Sequence, residues 1–76
     1  MEIKKIGATM KLIRNSKNLS LEKEAEMLGI TRNTLAIYEN NPDNMSIGLF
    51  NKFLKIHNIT RDIFFEQWYD KSHIDN

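Results

Sequence analysis

The chain has 76 residues, a net charge of +1 and no cysteine. Its length permits one small domain, and its apolar fraction of 41% with a charged fraction of 28% is typical of a soluble globular protein. No apolar run is long enough to span a bilayer, and the first residues do not resemble a signal peptide. The sequence therefore predicts a cytoplasmic protein without disulfides or thiolate metal sites.

The small net charge is unevenly distributed along the chain. Residues 1–20 carry five basic groups against one glutamate, whereas residues 21–45 carry two basic groups against five acidic ones. A basic segment is compatible with nucleic-acid binding, but a charge run of this kind is more often a solvated helix face. The charge pattern by itself therefore supports DNA binding only weakly.

Three helices are predicted in the first half of the chain. The first covers residues 3 to about 16, with the helically spaced apolar residues Ile3, Ile6, Met10 and Ile13. Ser20 is placed to cap a second helix that ends before Gly29, and Thr31 is placed to cap a third, about Arg32–Glu39. Glycine suits the left-handed backbone of a tight turn between helices. The pattern predicts a helix-turn-helix.

Two further helices are predicted after a cluster of turn-forming residues at 40–44. Ser46 is placed to cap the fourth, Asn58 suits left-handed backbone at its end, and Thr60 is placed to cap the fifth. A single domain is expected over 1–70, with a frayed tail at 71–76. The inward faces predicted for helices two to five are Leu21, Ala25 and Leu28; Ile30, Leu35 and Tyr38; Ile47, Phe50, Phe53, Leu54 and His57; and Ile63, Phe64 and Trp68.

Six short groups of residues stand out along the chain, at fixed intervals and with no insertion between them. They are Ile13-Arg14, Lys17-Asn18-Leu19-Ser20, Ala25-Glu26-Met27-Leu28-Gly29-Ile30-Thr31, Thr34-Leu35, Tyr38-Glu39-Asn40 and Asn58-Ile59-Thr60. With them the chain resembles the phage repressor and Cro family of helix-turn-helix proteins, also called the Xre type, over roughly residues 6–64. The resemblance implies an all-α fold, a compact bundle of five short helices. It implies double-stranded DNA as the partner, and no cofactor or metal.

The resemblance also implies roles for particular residues. The third helix would enter the major groove, where Arg32 suits guanine, Asn33 suits adenine and Ile37 suits a thymine methyl group. Without the resemblance, these three would be interpreted as exposed residues of a stable helix. A structural ion pair, Arg14 with Glu39, would join helix one to helix three. The implied phosphate contacts are Lys17, Ser20, Thr31, Thr34, Asn40 and Asn44.

The chain departs from the family pattern in three regions. Leu21 stands where a phosphate-contacting glutamine is usual, and Glu24 stands one turn later where an apolar residue is usual. The two are predicted to exchange roles, with Leu21 packing inward. Asp43 lies in a loop where basic residues are common, and its carboxylate opposes phosphate binding. His57 replaces an aliphatic residue, and we interpret it as a partly buried, hydrogen-bonded histidine rather than a pH switch or metal ligand.

The leading interpretation is a sequence-specific DNA-binding transcriptional regulator that acts as a homodimer on a palindromic operator. Helix five has more aromatic surface than one inward face needs. Phe65, Trp68 and Tyr69 are therefore candidates for the dimer interface, although these aromatics could equally cap the core. The alternative is a protein-binding helix-turn-helix module that docks on another regulator as an antirepressor, or on a toxin as its antitoxin. The sequence has none of the recognisable motifs of an enzyme.

Overall fold

The computed structural model describes residues 3–66 of the chain. This part contains five α-helices and no strand, as the sequence predicted. A 3-10 turn, Pro42–Asn44, lies between the third and fourth helices. The fifth helix, α5, covers residues 61–66, and the candidate residues Trp68 and Tyr69 and the tail at 71–76 lie outside the described residues. The first four helices are α1 (Ile3–Ser16), α2 (Leu21–Leu28), α3 (Arg32–Asn40) and α4 (Ile47–Ile56).

Four helices begin at a hydroxyl side chain that caps their first turn. Ser20 and Thr31 start α2 and α3, and each hydroxyl oxygen accepts a hydrogen bond from the backbone N–H three residues later, at 3.0 and 3.1 Å. Ser46 and Thr60 do the same for α4 and α5, at 3.0 and 3.2 Å. A cap of this type contributes about 1 kcal/mol because it satisfies an N–H that the helix cannot. All four helix starts lie where the sequence predicted them.

Three residues with positive φ end helices. They are Asn18 at 58°, Gly29 at 76° and Asn58 at 54°. This left-handed backbone lets the chain reverse after a helix, and asparagine and glycine adopt it at low energetic cost. The connections between α1, α2 and α3 are consequently only a few residues long, and the helices pack as neighbours.

The core contains large apolar side chains from all five helices. Met10, Leu35, Phe53 and Phe64 are completely buried, and their neighbours in the buried cluster are Ile13, Ala25, Leu28, Phe50 and Leu54. The Phe64 ring stands edge-on to the ring of Phe50, with centroids 5.0 Å apart, which is a favourable aromatic arrangement.

Two predicted core positions are wrong. Ile47 is 71% exposed: it is the first residue of α4, and its side chain is not part of the buried cluster. Ile63 is 44% exposed, because α5 turns Phe64 into the core and packs Phe65 beside it. Phe65, predicted to lie off the inward stripe, is half-buried with its ring 6.2 Å from that of Phe50. Within residues 3–66, no helix has the length and apolar character needed to cross a bilayer.

Candidate DNA-facing surface

The turn between α2 and α3 is specified by two residues. Gly29 ends α2, and its N–H donates to backbone carbonyls of the preceding turn. Thr31 caps α3 with its side-chain oxygen, which also lies 2.8 Å from the hydroxyl oxygen of Thr34. Because this turn is short and capped on both sides, α3 leaves α2 in one defined direction.

The outer face of α3 presents three predicted base contacts to solvent. Arg32 and Asn33 occupy its first two positions and are exposed. Ile37 follows Asn33 by one helical turn, on the same face, and is 60% exposed. Leu35, between them in sequence, is completely buried. The structure therefore divides α3 into a core face and an outer face that carries all three candidates.

The C-terminal half of α3 is held by a buried ion pair with α1. Arg14 donates from Nε to Glu39 Oε2 at 2.8 Å and from Nη2 to Glu39 Oε1 at 3.2 Å. Its third nitrogen, Nη1, donates to the backbone carbonyl of Leu19 at 2.7 Å, just before α2 begins. Both side chains are buried. One guanidinium therefore fixes α1, the start of α2 and the end of α3 relative to one another.

Gly7 allows α1 to approach α3 at backbone distance. A Cβ at this position would lie 2.6 Å from the carbonyl oxygen of Tyr38, and closer still to that of Glu39. No side chain fits between such atoms without moving one helix. The same end of α3 is therefore held twice, by the ion pair to Arg14 and by direct contact with the backbone of α1.

The predicted phosphate contacts have different environments. Ser20 and Thr31 are exposed caps at the N-termini of α2 and α3, and Asn44 is exposed in the 3-10 turn. Thr34 is half-buried, beside the hydroxyl of Thr31. Asn40 is exposed, and its side-chain amide donates to the carbonyl of Ala36 at 3.1 Å. Thr31 and Thr34 thus lie at the start of α3, Asn40 and Asn44 lie at and after its end, and Ser20 lies at the start of α2.

Two lysines bond to backbone carbonyls at helix ends. Lys17, the one basic residue among the predicted phosphate contacts, donates from Nζ to the carbonyl of His57 at 3.2 Å. Lys52 donates to the carbonyl of Leu28 at 3.1 Å, at the end of α2. Cations stabilise this end of a helix because its last carbonyls carry partial negative charge. Part of the positive charge of the chain is thus used within the fold.

A buried pair of polar side chains, Glu24 and His57, joins α2 to the end of α4. His57 Nε2 lies 2.9 Å from each carboxylate oxygen of Glu24. Glu24 is completely buried and His57 is 4% exposed. The predicted exchange of roles in α2 is therefore wrong for Glu24, which points into the core because it has a partner there. Leu21 is half-buried and packs against the core, in the inward direction that was predicted. Within residues 3–66, no three potential ligands converge on a metal site.

Two of these features were not identified from the sequence, although a signal for each is present. Glycine in the middle of a helix costs about 1 kcal/mol relative to alanine, so Gly7 could have indicated a close helix contact. Glu24 and His57 both stand where the family has apolar residues, and two polar side chains directed into one core need a shared partner. Considered together, the two departures could have predicted the pair.

Comparison with known proteins identifies the family. A family model described as Helix-turn-helix matches residues 10–64, from within α1 to the buried phenylalanine of α5. No curated protein and no solved structure matches the chain. The matched segment covers most of the chain and includes both helices of the motif and its turn, in a family whose domain binds DNA in regulators of transcription. The chain belongs to the Xre/Cro-like helix-turn-helix family.

Proposed function

We propose that this protein is a sequence-specific transcriptional regulator that inserts the N-terminal half of α3 into the major groove of DNA. The observation that carries the proposal is the outer face of α3. Arg32, Asn33 and Ile37 are exposed there, while the other end of the helix is fixed to the protein body through Glu39. A rigidly held helix with an exposed first half suits the reading of base edges.

The three exposed side chains offer complementary chemistry to base edges. A guanidinium can bond to guanine O6 and N7, a side-chain amide can bond to adenine N6 and N7, and an aliphatic group can pack on the thymine methyl. In this proposal Arg32, Asn33 and Ile37 perform these roles in that order. An exposed isoleucine beside two polar residues is unfavourable in water, and contact with a methyl group in the groove would remove it from solvent.

Phosphate contacts would position the domain on the DNA backbone. The N-termini of α2 and α3 carry the exposed hydroxyls of Ser20 and Thr31, and helix N-termini favour anions. Asn40 and Asn44 flank the other end of α3, and Thr34 supports the cap. Lys17 would add charge only if its bond to the carbonyl of His57 is shared with a phosphate.

We further propose that the regulator acts as a homodimer on a palindromic operator. One domain of this size provides few base contacts, and two copies of α3 about one DNA turn apart would read two half-sites. The interface candidates are Phe65, Trp68 and Tyr69. Phe65 is half-buried against its own core, whereas Trp68 and Tyr69 lie outside the described residues. Sedimentation of a Tyr69→Ala variant tests the interface, and a wild type that remains monomeric at high concentration would exclude it.

A second candidate function is docking on another protein, as an antirepressor or antitoxin. The observations that favour it are the exposed Ile37 and the exposed carboxylate of Asp43 in the turn after α3. Neither feature strengthens contact with phosphates. An apolar surface that binds a protein would respond weakly to salt, whereas DNA affinity must fall steeply as salt rises because counterions are released.

The decisive experiment is selection of bound sequences from a random pool of double-stranded DNA at two salt concentrations. A recovered palindrome, with weaker recovery at the higher salt concentration, is the expected result. A single recovered half-site would retain DNA reading and exclude the dimer. No enrichment at either concentration would exclude sequence-specific DNA binding and favour the protein-docking function.

A further inference from the structure

The chain after α3 offers few donors to the last carbonyl groups of this helix. The N–H of Asn41 donates to the carbonyl of Ile37 at 2.7 Å. The next residue is a proline, which has no N–H to donate. The N–H of Asp43 donates to the side-chain oxygen of Asn41 at 3.2 Å. In a continuing helix these two residues would serve the carbonyls of Tyr38 and Glu39, which therefore depend on another part of the fold.

Gly7 of α1 lies against these two carbonyl groups. It is buried, and a Cβ at this position would lie 2.6 Å from the carbonyl oxygen of Tyr38 and 2.8 Å from the carbonyl carbon of Glu39. In glycine a hydrogen lies in the direction of the Cβ, so a Cα–H bond of α1 is directed at the end of α3. Contacts between a Cα–H and a carbonyl oxygen recur where helices meet, and they require close approach.

Arg14 provides a second contact on the same face of α1. It follows Gly7 by seven residues, two helical turns or about 10 Å along the axis. Its guanidinium binds the carboxylate of Glu39 and the carbonyl of Leu19, just before α2 begins. Two contacts this far apart fix the direction of α1 relative to the end of α3, as well as the distance between them. The start of α2 and the end of α3 are thus both positioned against α1.

We propose, on the basis of the DNA-binding function proposed above, that Gly7 is a positioning residue for DNA binding. It sets the distance from α1 to the end of α3, and through it the distance between two groups of candidate phosphate contacts. Asn40 and Asn44 lie at and after the end of α3, whereas Ser20 lies at the start of α2. With Gly7 in place, both groups meet the DNA backbone while α3 lies in the groove.

A methyl group at position 7 would disturb this spacing. Carbon to oxygen contacts are normally about 3.3 Å or longer, so the end of α3 would have to move by roughly 1 Å. Hydrogen bonds to phosphate tolerate only about 0.5 Å of variation in donor to acceptor distance. The base contacts respond differently, because Arg32, Asn33 and Ile37 lie on one helix and would move as a unit. Affinity should therefore fall while the order of base preferences stays the same.

The test is the affinity of Gly7→Ala for the DNA sequence that the wild type selects from a random pool, compared at equal concentrations of folded protein. Affinity should fall by about tenfold or more, from the loss of hydrogen bonds to charged phosphates. The matched control is Gly48→Ala, the same change at an exposed glycine of α4. Its Cβ would meet the Ser46 hydroxyl oxygen at 3.8 Å, an ordinary contact, so affinity should be unchanged.

If Gly7→Ala unfolds too readily, it is combined with Gly48→Ala, which stabilises α4 because alanine favours the helix over glycine. The double variant is then compared with Gly48→Ala alone. A purely structural role would lower the melting temperature and leave the affinity of folded molecules unchanged, and that result overturns the proposal. A changed base preference also overturns it, because it would show that the three side chains do not move as a unit.

Failure of the proposed function gives a different result, because the wild type would then select no DNA sequence and the DNA role of Gly7 would be lost with it. A final measurement uses the wild type alone. Nuclear Overhauser contacts from the Hα protons of Gly7 to protons of Glu39 and Asn40 should be present in the free protein and persist in the DNA complex. Their absence, or their loss on DNA binding, overturns the proposal even if the wild type binds DNA.

Discussion

Within residues 3–66, two buried pairs that each contain a glutamate join helices, and they differ in the nitrogen-bearing side chain that faces the carboxylate. Arg14 with Glu39 connects α1 to α3, and Glu24 with His57 connects α2 to the end of α4. Their shortest nitrogen to oxygen distances are 2.8 and 2.9 Å, and all four side chains are buried. By distance and burial alone, the two pairs would be expected to contribute equally to stability.

The difference lies in what remains when the carboxylate is removed. A guanidinium keeps its charge in any protein environment, so an unpaired buried Arg14 would remain a buried ion. An imidazole has an uncharged form, so His57 without Glu24 would become a buried polar group that lacks a hydrogen bond. The first loss is expected to cost more, because burying an unpaired charge is less favourable than burying an unpaired polar group.

The largest effect is expected from Glu39→Ala. Removing one partner of a buried ion pair typically costs about 3–5 kcal/mol, a large part of the total stability of a small domain. Urea denaturation monitored by circular dichroism measures the change. The control is Glu26→Ala, which removes an exposed carboxylate 3.4 Å from Lys23 and should cost no more than about 1 kcal/mol. Equal effects of the two substitutions would show that Arg14 finds another partner or reaches water.

Glu24→Ala is expected to have a smaller effect, about 1–3 kcal/mol from the unsatisfied imidazole, with an additional contribution from the cavity. The measurement is the same denaturation midpoint, compared with that of Glu39→Ala. If Glu24→Ala destabilises the protein as much as Glu39→Ala, the contrast between imidazole and guanidinium is wrong for this fold.

Replacing both members of the second pair should have a still smaller effect. The variant with Glu24→Leu and His57→Leu removes both polar groups and restores apolar side chains, and such replacements are often neutral or stabilising. We expect its unfolding free energy to lie within about 1 kcal/mol of the wild type, with each single substitution less stable than the double. A double variant that is less stable than both single variants would show that apolar side chains cannot replace this pair.

The smallest effect on stability is expected from Arg32→Ala, because this exposed side chain lies outside both pairs. The unfolding free energy should change by less than about 0.5 kcal/mol. Specific DNA affinity should fall by about 1–3 kcal/mol, with loss of discrimination at one base position. Lys55→Ala, which removes an exposed basic residue from the last turn of α4, is the control for loss of charge alone. An unchanged base preference in Arg32→Ala would exclude this residue from base reading.

The first pair also shows how far the sequence could predict this structure. The helix starts were predictable because a hydroxyl cap is a local signal, contained within the residues it connects, such as Ser20 and Lys23. The pairing of Arg14 with Glu39 is a contact between residues distant in sequence, and it was predicted only because the chain resembles a family with a known arrangement. Spacing within α1 and α3 alone could not have identified it.

The second pair shows where such prediction fails. Glu24 and His57 depart from the family at both positions, so resemblance could not place them together, and Glu24 was predicted to exchange roles with Leu21. Ile47 failed for another reason. Its spacing from Phe50 satisfies a helical stripe, but periodicity does not indicate where along a helix the core ends. On the candidate DNA-facing surface, the exposure of Arg32 and Asn33 was predictable from their position, whereas the use of Lys17 within the fold depends on the end of α4.

Under the proposed function, the close contact at Gly7 has a consequence for how this domain could acquire a new DNA preference. The spacing between α1 and α3 is set by backbone atoms meeting where a methyl group is missing. Every other amino acid would push α3 away from the body and move its exposed residues Arg32, Asn33 and Ile37 together. Mutation can therefore explore the outer face at positions 32, 33 and 37 without disturbing the scaffold, while position 7 is closed to substitution. Selection for a new operator would act on positions 32, 33 and 37. Selection for a constant docking geometry would act on position 7.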